Sequence, residues 1–174
     1  NEAYILTGYF NIPKVFELTL NNGYDKVSKK QLGLQLGYAA DFKTYDELFD
    51  AFKKQMKYFI DVKIQGSNII EKIFADCMPA PFLSILTNDC IAKGKDYNAG
   101  GARYNTKYLQ GVGIGTITDC LAAVKYNVYD KKNFTMEELI EAMDHNFEGY
   151  DAIYRMVHDK SPKYGNDDDY ADDL

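Results

Sequence analysis

Residues Asp89–Thr106 of this 174-residue chain read DCIAKGKDYNAGGARYNT. Within it, Gly100 and Gly101 are adjacent, and Arg103 follows closely. Adjacent glycines allow backbone angles and close approaches that a Cβ atom forbids, at an entropic cost to folding. We therefore expect these glycines to form a tight turn that lies outside any ligand-binding pocket of the protein. Arg103 is expected to make charge-assisted hydrogen bonds to backbone carbonyls or to a carboxylate; the simpler alternative is an arginine that meets only solvent.

The composition is that of a globular chain large enough for one domain with its own core, with 46% apolar residues. It contains fifteen Tyr and ten Phe but no Trp. Because a tyrosine combines an apolar ring with a polar tip, so many of them favour surfaces that are buried yet hydrogen-bonded, as at subunit contacts.

The net charge of −6 is concentrated at the end of the chain. Five aspartates fall within the last eight residues: Asp167, Asp168, Asp169, Asp172 and Asp173. The rest of the chain is close to neutral, whereas nucleic-acid binding needs a concentrated basic surface. We therefore expect no nucleic-acid partner.

The three cysteines, Cys77, Cys90 and Cys120, have no short paired spacing. Their odd number argues against a disulfide framework and a zinc site, and favours a reducing, cytoplasmic setting. Cys90 and Cys120 lie among apolar residues and are expected to be inert, buried side chains. No run approaches the ~20 apolar residues of a membrane span and no signal peptide is recognised, so no membrane association is expected. The start, without Met, suggests a piece of a longer chain.

The first half of the chain predicts a strand and three helices. A buried strand is expected at Ala3–Gly8, followed by a helix that Asn11 caps and that ends near Asn21. Residues 24–43 have no steady period and predict a loop with short helical pieces. Thr44 and Glu47 form a capping box, and apolar spacings of three and four continue that helix to about Asp76. A third helix is expected over Phe82–Lys93, with Gly94 as its stop.

The second half predicts a short extended piece and further helices. One helix should begin at Thr116 or Thr118. A second capping box, Thr135 with Glu138, begins a helix through Asn146. Another helix is expected over Tyr150–Asp159, and the aspartate-rich end should form the first turn of a helix.

Several motifs that could carry chemistry have simpler explanations. Gly111, Gly113 and Gly115 resemble a phosphate-binding loop, but their spacing misses the dinucleotide fingerprint, which favours a tight strand-to-helix turn. His145 and His158 have no ligand-spaced partners and are expected at the surface or at helix caps. Ser84, Asp89 and Cys90 do not form a nucleophilic set with either histidine. From residues alone, the chain is a mostly helical piece without a self-contained catalytic set.

Three separated motifs resemble the pyruvate formate-lyase-like glycyl radical enzymes. They are the opening stretch, QGVGIGTITDCLAAVKYNVYD (Gln110–Asp130) and PKYGNDDDYAD (Pro162–Asp172). The resemblance covers nearly the whole chain. It implies an α/β fold in which residues 1–174 are a mostly helical internal segment of a single ten-stranded barrel domain, with one or two short strands.

The resemblance also implies radical chemistry. An activating enzyme that uses S-adenosylmethionine and an iron–sulfur cluster makes the glycyl radical, which oxidises a cysteine to the thiyl radical that attacks the substrate. The family's Gly-Cys-x-Glu motif and its glycine loop do not occur in these 174 residues. We therefore expect the thiyl cysteine, the acid–base glutamate and the radical glycine to lie outside this chain, which should hold no catalytic residue, metal or cofactor. The parent protein is expected to be a homodimer.

The substrate is expected to be a small hydroxylated metabolite. NEAYILTGYFN and NNGYD most resemble the members that dehydrate 4-hydroxyproline; glycerol, propanediol or choline lyases are the alternatives, and a non-catalytic helical module is a third. By resemblance, Tyr9 matches a tyrosine beside the substrate, and strand ends do line barrel pockets. Thr7 and Asn11 are weaker candidates. The alternative for Tyr9 is packing in the core.

Overall fold

The computed structural model describes residues 2–174, without the side chains of residue 2 and residues 4–7. The chain is mostly helical, with few short strands, as predicted. It divides into two compact units, one made of Asn1–Phe10 and Phe59–Val112, the other of Asn11–Tyr58 and Gly113–Leu174. The α-helices of the described residues are α1 (Ile12–Leu20), α2 (Tyr45–Cys77), α3 (Pro81–Leu86), α4 (Cys90–Lys93), α5 (Ile114–Val124), α6 (Met136–Asp144), α7 (Asp151–Asp159) and α8 (Asp169–Asp172).

The strands of the described residues form two small sheets. The predicted first strand is present and longer than expected, as β1 (Glu2–Asn11), and it pairs with β4 (Tyr104–Val112). The other sheet is an antiparallel ribbon of β2 (Tyr24–Asp25) and β3 (Lys30–Gln31). This ribbon lies where the sequence predicted only loop and short helical pieces. Two-residue strands are too short to leave an alternating pattern.

The long helix α2 begins and ends within one residue of its predicted bounds. The backbone amide of Glu47 donates to Thr44 Oγ1 at 3.3 Å, and Glu47 Oε2 accepts from the Thr44 amide at 3.4 Å, which is the predicted capping box. Gly66 does not interrupt the helix. Its 33 residues extend about 50 Å.

The predicted helix over Phe82–Lys93 is wrong as a single element. The structure has α3 and α4 there, separated by a turn in which Asp89 adopts φ +76°. Aspartate is one of the few residues that tolerate this left-handed conformation. Gly94 ends α4 at φ +60°, as predicted.

Two helix bounds in the second half also differ from the predictions. Helix α5 begins at Ile114, before Thr116, because Gly113 turns the chain at φ +86° directly after β4. Helix α6 has the predicted capping box but ends at Asp144, because Asn146 and Phe147 both have positive φ. The last turns of α5 continue as a π-helix over Lys125–Asp130, which the sequence did not indicate.

The second unit has a core of aliphatic and aromatic side chains from α1, α2, α5 and α6. Phe16 packs edge-on against Phe52 with ring centroids 5.4 Å apart, and Leu48 is fully buried. Asn127 on the π-helix is also buried, and its amide nitrogen donates to the Ala123 carbonyl and to Ser161 Oγ. Its polar group is therefore satisfied inside the protein, as burial requires.

The aspartate-rich end forms the predicted helical turn, α8. Asp168 caps it by accepting from the Tyr170 amide at 3.1 Å, and Asp172 accepts from the Gly165 amide at 2.8 Å. The Tyr170 hydroxyl donates to Asp130 at 2.6 Å, while Lys125 lies 3.9 Å from the Tyr170 ring centroid. Two of the terminal carboxylates, those of Asp168 and Asp172, therefore accept hydrogen bonds that hold the end of the chain in place.

Candidate functional site

Tyr9, the predicted substrate contact, lies near the end of β1 with 66% of its surface exposed. Within the described part of the chain, no hydrogen bond or ring contact holds its phenol. The preceding residue, Gly8, has φ +123°, and a Cβ there would lie 3.1 Å from Lys63 Nζ. The positive φ disfavours a side chain at position 8, whereas the contact with Lys63 Nζ, the end of a flexible side chain, is relieved by a small shift. Gly8 therefore sets how the strand presents Tyr9.

The two weaker candidates differ from Tyr9. Thr7 lies on β1, and its side chain is outside the described residues. Asn11 caps α1, where its Oδ1 accepts from the Lys14 amide at 3.2 Å. An oxygen engaged in a helix cap is less available to a substrate.

Gly100 and Gly101 form the turn of the opening stretch, each with its own physical requirement. Gly100 has φ +80° with nothing within 4 Å of a Cβ built on it. Gly101 is confined instead, because a Cβ there would lie 2.1 Å from the Lys95 carbonyl oxygen and 2.9 Å from Cys90 Sγ. The Gly101 amide donates to the Asp96 carbonyl at 2.9 Å. Glycine is needed at position 100 for its positive φ. At position 101 it is needed because the backbone lies against the Lys95 carbonyl and Cys90.

Arg103 makes a two-pronged contact with Asp89. Its Nε donates to Asp89 Oδ2 at 3.0 Å and its Nη2 to Oδ1 at 2.8 Å. The hydrogen bond from Arg103 lowers the pKa of the Asp89 carboxyl, so the pair stays charged at neutral pH. Because two donors of the planar guanidinium are bound, the contact fixes both the orientation of the Arg103 side chain and its distance from Asp89.

A small buried cluster lies beside this ion pair. It consists of Ala3 from β1, Cys90 and Ala102, all at most 2% exposed, with Tyr97 packed against them. The Ala102 carbonyl accepts from Lys93 Nζ and from Asn105 Nδ2, each at 2.8 Å. We call Ala3, Cys90 and Ala102 the strand seat. Cys90 is thus buried, as the sequence predicted.

Thr106 adds a hydrogen bond between the two strands that leave the seat. Its Oγ1 donates at 3.1 Å to the carbonyl of Ala3, which is a member of the seat. The ion pair and the seat were not predicted as a unit. The opening stretch pointed to Arg103, but no local signal identified Asp89 or Ala3 as its neighbours.

A groove of about 500 Å³ lies in the second unit, between α1, α5, α6 and α7. Its lining is mainly apolar, including Phe16, Leu139 and Phe147, and its size is that of a small-ligand pocket. Cys120 lines it and is exposed, so the prediction of a buried side chain is wrong at this position. Desolvation by its surroundings, with the Asp119 charge, raises the pKa of the Cys120 thiol and so favours its protonated form.

The remaining motifs have structural explanations. Gly113 forms the strand-to-helix turn, and a Cβ there would lie 2.6 Å from Pro13 Cδ. His145 is the C-cap of α6, with Nδ1 2.9 Å from the Glu141 carbonyl oxygen. His158 lies at the surface beside Asp159. Among the side chains that the structure describes, no three from His, Cys, Asp or Glu are grouped to hold a metal ion.

Comparison with known proteins matches the whole chain, residues 1–174, to the family model "Pyruvate formate lyase-like". The trans-4-hydroxy-L-proline dehydratase of Clostridioides difficile is 64% identical over 99% of this chain, which spans 22% of that protein. In the part of the chain that the structure describes, no helix is both long and apolar enough to cross a membrane.

Solved structures also match the fold of this chain closely. The crystal structure of the C. difficile hydroxyproline dehydratase with trans-4-hydroxy-L-proline bound gives a TM-score of 0.95 over 99% of this chain and 22% of that one. The glycerol-bound B12-independent glycerol dehydratase from Clostridium butyricum is 38% identical, with a TM-score of 0.88 over 95% of this chain and 21% of its own. The predicted fold class, a mostly helical part of a glycyl radical enzyme barrel, is confirmed.

Proposed function

The chain belongs to the pyruvate formate lyase-like family, and on that basis we propose that it is part of a glycyl radical dehydratase that removes water from 4-hydroxyproline. The proposal of this substrate rests on the 64% identity to a hydroxyproline dehydratase over nearly the whole chain. Identity to the glycerol dehydratase is only 38%. This difference favours the hydroxyproline substrate over glycerol.

The radical chemistry is proposed for the full-length protein. A protein glycyl radical, installed by an activating enzyme that uses S-adenosylmethionine and an iron–sulfur cluster, supplies the hydrogen-abstracting thiyl radical. The Gly-Cys-x-Glu motif does not occur in these residues. The part proposed for this chain is therefore substrate positioning and support of the barrel. Residues 1–174 are taken as part of one barrel domain, in a cytoplasmic homodimer.

Tyr9 is the residue proposed to contact the substrate. Its exposed phenol, at the end of a strand and next to a glycine with positive φ, offers an apolar ring and one hydroxyl to a small polar ring. Alignment of the reacting C–H bond matters more here than acid strength, because a misaligned bond does not react. Thr7 and Asn11 remain weaker candidates for the same pocket.

The test is Tyr9→Phe in the full-length protein, activated under anaerobic conditions. The variant keeps the ring and removes one hydroxyl. Since a hydrogen bond contributes about 0.5–1.5 kcal/mol, and positioning adds to this, we expect kcat/KM for 4-hydroxyproline to fall about tenfold or more. The glycyl radical content, measured by electron paramagnetic resonance, should be unchanged. Unaltered kinetics would remove Tyr9 from the site.

A further inference from the structure

The Asp89–Arg103 ion pair braces two adjacent parts of the strand seat. Asp89 precedes Cys90, and Arg103 follows Ala102. Each charged residue is therefore next in sequence to one of the two seat residues that pack against Ala3 of β1. The two-pronged contact fixes the separation of these segments from outside, while the seat packs between them.

The seat has little room for rearrangement. Gly101 leaves no space for a Cβ against the Lys95 carbonyl and Cys90 Sγ. Ala102 is fully buried, and two side-chain donors hold its carbonyl. If the ion pair were lost, the segments would be free to separate, and Ala3 would lose packing against Cys90 and Ala102.

Ala3 lies near the start of β1, the strand that carries Tyr9. Six residues along β1 correspond to about 20 Å. The strand is held near Ala3 by the seat, by the hydrogen bond from Thr106, and by pairing with β4, which begins directly after Arg103. A change in the seat therefore changes where the strand is anchored at its start.

We propose that Arg103 is a positioning residue for the substrate site: through Asp89 and the strand seat it anchors β1, and thereby places Tyr9. The proposal rests on the proposed function, because it needs Tyr9 to contact substrate. Arg103 itself touches neither the substrate nor the reacting atoms in this scheme.

The experiment uses the full-length protein and two variants of the pair. Arg103→Lys keeps the charge but not the planar fork, and Asp89→Asn removes the charge with a side chain that also tolerates positive φ. We expect each to lower kcat/KM for 4-hydroxyproline about tenfold, since small misplacements far from the chemistry can cost up to about a hundredfold. The radical content should remain at the wild-type level. Lys72→Gln, which breaks the exposed Lys72–Asp76 pair of α2, is the control and should leave kcat/KM unchanged.

A double-mutant cycle with Tyr9→Phe distinguishes positioning from general support. If Arg103 acts through Tyr9, Arg103→Lys should cost much less in the Tyr9→Phe protein than in the wild type. Equal costs in both backgrounds, or a kcat/KM of either single variant within twofold of wild type, would overturn the proposal.

Hydrogen exchange gives a readout that does not depend on the substrate. Both variants should speed amide exchange in the β1 peptide severalfold, while exchange in α6 stays at the wild-type rate. Unchanged exchange in β1 overturns the anchoring step. If the wild-type protein carries its radical but does not convert 4-hydroxyproline, the proposed function fails, and the exchange result still decides whether Arg103 anchors β1.

Discussion

Alanine substitutions at Gly100 and Gly101 should have very different effects, although the residues are neighbours. Gly100 adopts φ +80° with open space around it, so an alanine there meets only the cost of the left-handed backbone. That cost is roughly 1–2 kcal/mol. Asparagine tolerates this conformation better, so Gly100→Asn should cost less than Gly100→Ala.

The cost at Gly101 has a different origin. An added Cβ would lie 2.1 Å from the Lys95 carbonyl oxygen, where ordinary contact begins at 3.4 Å. The blocking atom belongs to the backbone, so it cannot rotate away, and the turn closed by the Gly101–Asp96 hydrogen bond must open. Overpacking typically costs about 1–3 kcal/mol, and a clash with a backbone atom places Gly101→Ala at the upper end, about 3 kcal/mol. Asparagine should be no better than alanine here.

Hydrogen exchange of the peptide spanning Asp89–Thr106 in the full-length protein measures both effects. A loss of roughly 1–2 kcal/mol in local stability speeds exchange about 5- to 30-fold, and a loss of about 3 kcal/mol speeds it more than about 100-fold. The expected order is Gly100→Asn slowest, Gly100→Ala next and Gly101→Ala fastest. If Gly101→Ala exchanges no faster than Gly100→Ala, the close approach of the two segments is not what requires glycine.

Three further predictions concern the rest of the chain. Gln55→Ala should speed amide exchange at Leu34 about 5-fold or more. The reason is that the buried Gln55 amide accepts from the Leu34 N–H at 2.9 Å and donates to the Leu34 carbonyl at 2.7 Å. Lys54→Ala on the same helix is the control. Asp25, whose pKa the Lys14 hydrogen bond lowers, should stabilise the fold at neutral pH and lose this contribution as the pH falls below about 4; an acid-unfolding midpoint that Asp25→Asn leaves unmoved would contradict this. The excised 174-residue chain should self-associate, because α3 exposes Phe82 and Ile85; a monomer in sedimentation experiments would contradict this expectation. The excised chain should also show no dehydratase activity and no bound metal.

The sequence predicted the helix starts that are determined by hydrogen bonds between residues close together in the chain. The capping boxes at Thr44 and Thr135 gave the starts of α2 and α6, because a cap is made by residues three apart. Asn11 was identified as a cap for the same reason. The fold class could be predicted because three separated motifs resembled one family.

The errors occur where distant residues decide the local conformation. Asp89 has an ordinary helical neighbourhood in the sequence, yet it turns at positive φ, where its carboxylate meets Arg103 fourteen positions later. The position of Cys120 was wrong because its helix faces a groove formed by four elements. No periodicity within one element indicates how it packs against others.

The strand seat shows why the glycine pair could be noticed but not explained from the sequence. A tight turn alone needs one residue with positive φ, which Gly100 supplies. The second glycine is required only because the turn closes onto Lys95 and Cys90, and that closure places Ala102 against Ala3, almost a hundred positions earlier in the chain. Each of the three segments alone looks like an ordinary loop, helix end or strand start. The opening stretch therefore supports the start of β1, because its two segments pack Cys90 and Ala102 against Ala3.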